Sequence, residues 1–448
     1  MMIVSISRKD RIMEVQTTIG SVEGVNKEGC CVYYGIPFAK PPVGEFMFRH
    51  PLPPDPWEGV LKADRGSANP VQVQDGYGQG NTSLDCLYLN IFVPDKITAP
   101  APVMVWIYGG AFYQGGAGTG EKESVNLLYD MTLFAKETGC IVVTLNYRLN
   151  VYGFLNLHCE DKRFDRNNGL YDQIMALRFV KENIAAFGGD PENITLFGQS
   201  AGGSSILALM TMKDAEGLFQ KTIVQSPCVD HFFSEEESKR YTHKFLRFAG
   251  VRTPSELLKL PEESILKAVK KYYKWVLRTG ELRCAFSPTI DGVTIPGEPK
   301  KEVTKAQIPM MIGTVSEECN LFVHKIPVAA LPFAGLYLHI SPQKTNRSYK
   351  QRYSDALTEK VFARPVEELV KEYSGPIWKY FYDYAPPECE YGCCHISELP
   401  VLFGSNSFFG RVDDAESERV GSMLRKTWAD FARYGNPGWP ERTGNLLR

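Results

Sequence analysis

The sequence predicts an α/β protein: a central, mostly parallel, twisted sheet flanked by helices and carrying a helical insertion. Three observations lead there. Short β-branched and aromatic runs recur along the chain with little polar alternation, as strands covered on both faces require. Stripes of helical period lie between them, the alternation of a parallel sheet. The 448 residues are 44% apolar, enough to build a large core.

The expected strands are Val103–Tyr108, Cys140–Asn146, Ile194–Phe197, Thr222–Gln225, Met310–Gly313 and Trp378–Tyr384. Leu170, Ile174, Leu177, Val180, Ile184 and Phe187 step by three or four, which puts one apolar stripe on a helix. Gly188-Gly189-Asp190-Pro191 stops it. Val420, Leu424, Trp428 and Phe431 form a second stripe, ended by Gly435-Asn436-Pro437. Residues 234–280 are rich in charge and helix formers and read as a helical cap inserted into one domain spanning 1–448. Lys270, Lys271 and Lys274 there read as a solvated face.

Composition excludes several classes. Fifty basic against 52 acidic side chains leave a formal charge of −2, so no polybasic nucleic-acid surface is expected. No window approaches the length of an apolar membrane span. Met1–Asp10 lacks the apolar run of an export signal. The eleven cysteines are therefore expected to be mostly reduced core residues in a cytoplasmic protein, and the sequons at Asn81, Asn193 and Asn346 to be idle. Cys389, Cys393 and Cys394 crowd His395, but no second ligand pair stands at zinc spacing, so no metal is expected. Oligomeric state cannot be read from the sequence.

Phe197-Gly198-Gln199-Ser200-Ala201-Gly202-Gly203 follows a predicted strand and precedes an apolar helical run. Gly-x-Ser-x-Gly in that setting is a nucleophile elbow: a sharp strand-to-helix turn that holds the serine hydroxyl clear. Tyr108-Gly109-Gly110 follows another strand. Its two glycines let backbone N–H groups approach a substrate oxygen, with the Ala201 N–H as third donor. The glycine loop runs on through Gly118 and Gly120, and no Gly-Lys-Ser/Thr follows to make it a phosphate cradle. Serine needs a base, and the chain order of such sites is serine, acid, histidine. His395 is the last of seven histidines. The segment after Met310–Gly313 offers Glu317 or Glu318 as the acid, and composition does not choose between them.

At this point the chain resembles the type-B carboxylesterases, the carboxylesterase and cholinesterase family of α/β-hydrolases, in the manner of bacterial intracellular members. The runs that carry the resemblance span almost the whole chain. They include Tyr34-Gly35-Ile36-Pro37-Phe38-Ala39, Asp85-Cys86-Leu87-Tyr88-Leu89-Asn90, Asn146-Tyr147-Arg148-Leu149, Asn168-Gly169-Leu170-Tyr171-Asp172-Gln173 and Pro288-Thr289-Ile290-Asp291-Gly292. The resemblance implies Ser200 as nucleophile, Glu318 as acid and His395 as base. It implies Gly109, Gly110 and Ala201 as oxyanion donors, Gln199 beside the nucleophile, and Ser226 behind the acid to steady it. No cofactor is implied, and the partner is a small-molecule ester.

Departures sharpen the reading. Tyr108 stands where the family usually has His, Gln199 where cholinesterases often have Glu, and Pro227 where Gly is usual. No cysteine lies between Val32 and Asp85, so the loop disulfide of secreted members cannot form. No tryptophan lies between Ser67 and Asp85, only Tyr77, which disfavours choline esters. Glu318 and His395 are 77 positions apart, fewer than deep-gorge relatives suggest, so an open site taking short-to-medium acyl chains is expected. The alternatives are an amidase or thioesterase on the same fold, or a binding protein that no longer uses its serine.

Overall fold

The computed structural model describes residues 14–27, 29–73, 80–117, 129–279, 281–324, 348–407 and 410–448. Met1–Asp10, Tyr77, Gly118, Gly120 and Asn346 lie outside them. A ten-stranded sheet forms the centre. Its parallel part runs, in spatial order, through Ile141–Leu145, Ala101–Ile107, Gly189–Gln199, Lys221–Gln225, Met310–Val315, Ile377–Tyr382 and Gly444–Leu447. Tyr88–Pro94, Cys30–Pro37 and Val25–Lys27 close the other edge antiparallel.

All six expected strands are present, each within a few residues of its predicted bounds. The antiparallel strands and Gly444–Leu447 were not foreseen. The antiparallel runs are almost as apolar as the central ones, and sequence periodicity does not give strand direction.

Ala101–Ile107 and Ile141–Leu145 are buried at every position. Helices explain why. Asn168–Asn183 carries the first predicted stripe, and its Gly188 stop adopts φ +88°, which glycine tolerates. Ala415–Tyr434 carries the second stripe and covers the sheet with Trp428 and Phe431. Trp428 fixes its depth by donating from Nε1 to Gln225 Oε1 at 3.1 Å. On another part of the sheet Trp106 packs on Phe197 and Phe403, with ring centroids 4.9 and 5.1 Å away.

Two of the motif runs turn out to be one interaction. Arg148 donates from its backbone N–H and Nε to Asp172 Oδ2 at 2.9 and 2.8 Å, and from Nη2 to Oδ1 at 2.6 Å. Both side chains are buried. Removing one partner of such a pair strands a charge and costs about 3–5 kcal/mol. The pair ties the helix Asn168–Asn183 to the strand end that supports Tyr147.

The segment 234–280 is helical, in Glu235–Ala249, Pro254–Leu257 and Glu262–Arg278. Ser234 and Glu237 form a reciprocal capping box at its start. Tyr272 and Phe245 pack between the long helices, and Lys270, Lys271 and Lys274 face outward, as expected of a solvated face.

Candidate active site

Parallel strands present their carboxyl ends on one side of a sheet, and the candidate residues gather there. Ser200 follows the strand Gly189–Gln199 directly and begins the helix Ala201–Leu209. Its φ of 59° and ψ of −123° lie where a non-glycine residue is strained. The turn is crowded enough to demand its glycines. A Cβ on Gly202 would stand 2.0 Å from the Ile107 carbonyl oxygen, and one on Gly198 2.7 Å from the same atom. The Ser200 N–H donates to the Gln225 carbonyl at 2.8 Å, which anchors the elbow to the next strand.

Glu318 lies just beyond the strand Met310–Val315, and His395 on the loop after Ile377–Tyr382. His395 Nδ1 is 2.5 Å from Glu318 Oε2, with the two side chains 2% and 0% exposed. Val315 N–H donates to the other carboxylate oxygen at 3.0 Å. Of the two glutamates, Glu318 is the one that contacts the imidazole. Glu317 instead accepts the Cys393 N–H on its carboxylate at 3.2 Å, and its own N–H donates to the Cys393 carbonyl at 3.0 Å. It fastens the histidine loop rather than touching the imidazole.

With Nδ1–H directed at Glu318, Nε2 is left as the acceptor. Gln199 fills that role's partner: its Nε2 is 3.1 Å from His395 Nε2. Among the described residues His395 Nε2 is hydrogen-bonded to this amide and not to Ser200. The sequence identified Gln199 as a change of charge. It did not reveal that the amide occupies the lone pair of the imidazole.

Gly109 sits against the nucleophile, since a Cβ there would be 3.0 Å from Ser200 Cβ. The N–H groups of Gly109, Gly110 and Ala201 join no backbone pairing among the described residues. Tyr108 holds this loop from behind. Its hydroxyl donates to the Tyr147 carbonyl at 3.0 Å, the Tyr147 hydroxyl donates to the Tyr108 carbonyl at 2.8 Å, and the rings stack at 4.4 Å. Burial pushes both phenols well above their ordinary range, so both remain neutral donors. Ala111, Phe112, Asn150 and Ser226 also carry positive φ, so backbone strain collects around the site.

Ser226 departs from its expected role. Its N–H donates to the Gly313 carbonyl at 2.8 Å, and its hydroxyl, although buried, has no partner among the described residues. The positive-φ turn commits its backbone to the neighbouring strand, and Val315 and His395 hold the acid instead. Ser200 is 9% exposed, and the rings of Phe322 and Phe362 stand 5.3 and 4.9 Å from His395. Phe233 packs on Tyr241 at 4.7 Å in the helical segment.

Glu398, read from sequence as a helix cap, is a buried acid near Glu318 and His395. It opens the helix Glu398–Phe403, and its Oε1 accepts from Gln225 Nε2 at 3.3 Å. Its Oε2 has no partner among the described residues. Burial first, then the nearby Glu318 carboxylate, hold its carboxyl up at about 7. Between an unfolded value of 4.5 and about 7, the folded protein keeps a proton that the unfolded chain has released. Stability therefore falls as pH rises through that window. Glu398→Gln removes the effect. We expect it to stabilise the protein by roughly 2 kcal/mol at about pH 8 and by little at about pH 5, measured by denaturant unfolding. An equal difference at both pH values contradicts the assignment.

The family model described as "Carboxylesterase family" matches residues 11–331 and 333–445. The chain belongs to the carboxylesterase family. The para-nitrobenzyl esterase of Bacillus subtilis (strain 168) is 37% identical over 463 residues, covering 95% of this chain and 92% of its own length. Bovine carboxylesterase 4A is 31% identical, covering 95% of this chain and 88% of its own length. A solved PNB esterase superposes with a TM-score of 0.86 at 34% identity, covering 97% of this chain and 96% of that one. This carboxylesterase has the α/β-hydrolase fold and is a carboxylic ester hydrolase acting on small-molecule esters. Among the described residues no helix is long and apolar enough to cross a membrane.

Proposed function

We propose that this carboxylesterase hydrolyses short-to-medium-chain esters through a Ser200–His395–Glu318 triad and an acyl-enzyme. The observation that carries the reading is the 2.5 Å contact of His395 Nδ1 with Glu318, which makes Nε2, held at 3.1 Å by the Gln199 amide, the basic nitrogen of the ring.

The steps follow from that polarity. Gln199 yields its hold on Nε2 or shares it, and Ser200 Oγ gives its proton to Nε2 while attacking the ester carbonyl. Glu318 stabilises the imidazolium that forms. The N–H groups of Gly109, Gly110 and Ala201 take the oxyanion, each worth about 3–4 kcal/mol in the transition state. The imidazolium then protonates the departing alcohol. Water enters and gives a proton to the same nitrogen as its oxygen attacks the acyl carbon; the bond to Ser200 Oγ then breaks, the imidazolium returns the proton to Oγ, and the acid leaves.

Phe322 and Phe362 stand beside His395 as apolar surface for an acyl chain, with Phe322 half open to solvent. The helical segment 234–280 is read as a cap on a single domain. None of the eleven cysteines is in a disulfide, which supports a cytoplasmic setting. A series of p-nitrophenyl esters from acetate to palmitate tests the chain-length reading. kcat/KM is expected to peak between acetate and octanoate and to fall at palmitate by about 10-fold or more. A maximum at palmitate contradicts it.

A further inference from the structure

Two segments far apart in the chain are laced together beside the triad. Cys228 and His231 share one turn, closed by the His231 N–H donating to the Cys228 carbonyl at 3.2 Å. Opposite runs the segment that begins at Arg283. The Arg283 guanidinium donates to the Phe232 carbonyl at 3.2 Å and pairs with Glu237 at 2.7 Å. The Phe233 N–H donates to the Pro288 carbonyl at 3.0 Å. This lacing sets Cys284 Sγ 3.8 Å from His231 Nδ1, on the turn that also carries Cys228.

The turn is joined to the catalytic residues. Ser204 Oγ lies 3.2 Å from both the Ser200 and the Cys228 carbonyl oxygens. Cys228 packs in one cluster with Phe362, whose ring stands 4.9 Å from His395. Cys228 and His231 are buried, whereas Cys284 is partly exposed. A reachable thiol, an imidazole to exchange its proton and a second thiol on the imidazole's own turn are the parts a reactive thiol centre needs.

The two thiols are unequal. Cys284 is partly exposed and borders the His231 imidazole, whereas Cys228 is buried. The Cys228 thiol, then His231, draw Cys284 downward against burial, and the same interaction and burial push Cys228 well up. Cys284 is thus the attacking thiolate and Cys228 the resolving thiol. The other thiol pair, Cys389 with Cys394, lacks this arrangement: those sulfurs donate to the carbonyls of Gly392 and His395.

We propose that Cys284, with His231 and Cys228, is a peroxide-reactive thiol centre in the wall of the ester site that closes to a Cys228–Cys284 disulfide. The Cys284 thiolate attacks one peroxide oxygen and the O–O bond breaks. The other oxygen leaves as hydroxide, takes a proton from the His231 imidazolium and departs as water, and Cys284 becomes a sulfenic acid. Cys228 gives its proton to His231 and attacks the Cys284 sulfur. The S–O bond breaks, and hydroxide leaves with that proton as a second water. Two thiols lose two electrons and two protons, and one peroxide becomes two waters.

The test uses the full chain treated with hydrogen peroxide, blocked with N-ethylmaleimide and digested. A peptide pair joined through Cys228 and Cys284, and released by dithiothreitol, is expected. Ser200→Ala should form the same cross-link, so the result does not depend on the triad reading. Cys228→Ser should instead trap Cys284 as a dimedone adduct. Iodoacetamide labelling of Cys284 at about pH 6 should fall about 10-fold or more in His231→Gln and change little at about pH 9. No cross-link, a cross-link only between Cys389 and Cys394, or labelling of Cys284 at about pH 6 no faster than that of Cys159 would overturn the proposal.

Discussion

Ser200→Ala is expected to lower kcat on a p-nitrophenyl ester by roughly 10⁴- to 10⁶-fold, with substrate binding largely kept. The loss follows from chemistry: alanine has no atom to form the acyl-enzyme, so the remaining groups only bind the ester and polarise its carbonyl. The residual rate should come from the oxyanion amides, which the substitution leaves in place. Fold stability should barely move. The backbone of the elbow is held by the Ser200 N–H to Gln225 and by glycines whose replacement would clash, neither of which involves the hydroxyl. The thermal midpoint should therefore shift by less than about 2 °C. Activity within about 10-fold of the parent would mean that another group is the nucleophile.

Glu318→Gln carries the second-largest expected effect, a fall of about 10⁴-fold in kcat. Glutamine keeps the shape of the site but can present its NH₂ to His395 Nδ1. That favours the tautomer with the proton on Nε2, which cannot accept the serine proton. The charge that would offset the imidazolium is also gone. The neighbouring residue supplies the comparison. Glu317→Gln keeps a carbonyl oxygen able to accept the Cys393 N–H, so its loss should stay within about 10-fold. If the two variants ranked the other way in kcat, the acid would be misassigned.

That pair also shows where sequence reasoning stops. The strand Met310–Val315 is legible from its apolar run, and either glutamate beyond it satisfies the chain order of a triad. Which one meets His395 depends on how the loop around Cys393 is fastened, and Glu317 does the fastening. The elbow at Ser200 was legible because steric crowding leaves few residue choices, and its glycines record that crowding directly. The paired glycines at 109 and 110 were legible for the same reason.

Other features have no local signature. The Tyr108–Tyr147 reciprocal pair depends on two strand ends lying side by side. Glu398 reads as an ordinary first-turn acid until the helix Ala415–Tyr434 and Gln225 enclose it. Ser226 was assigned by resemblance to the acid, yet its hydroxyl finds no partner among the described residues. Gln199 stands in plain sight beside the nucleophile, but its contact with His395 joins positions 196 residues apart.

Covalent labelling tests the central claim most directly. The protein is treated with a fluorophosphonate, digested, and the modified peptide identified by mass. The account predicts one phosphonylated side chain, that of Ser200, with label and esterase activity lost in parallel and no label in Ser200→Ala. An adduct on a different residue that tracks the loss of activity would contradict it.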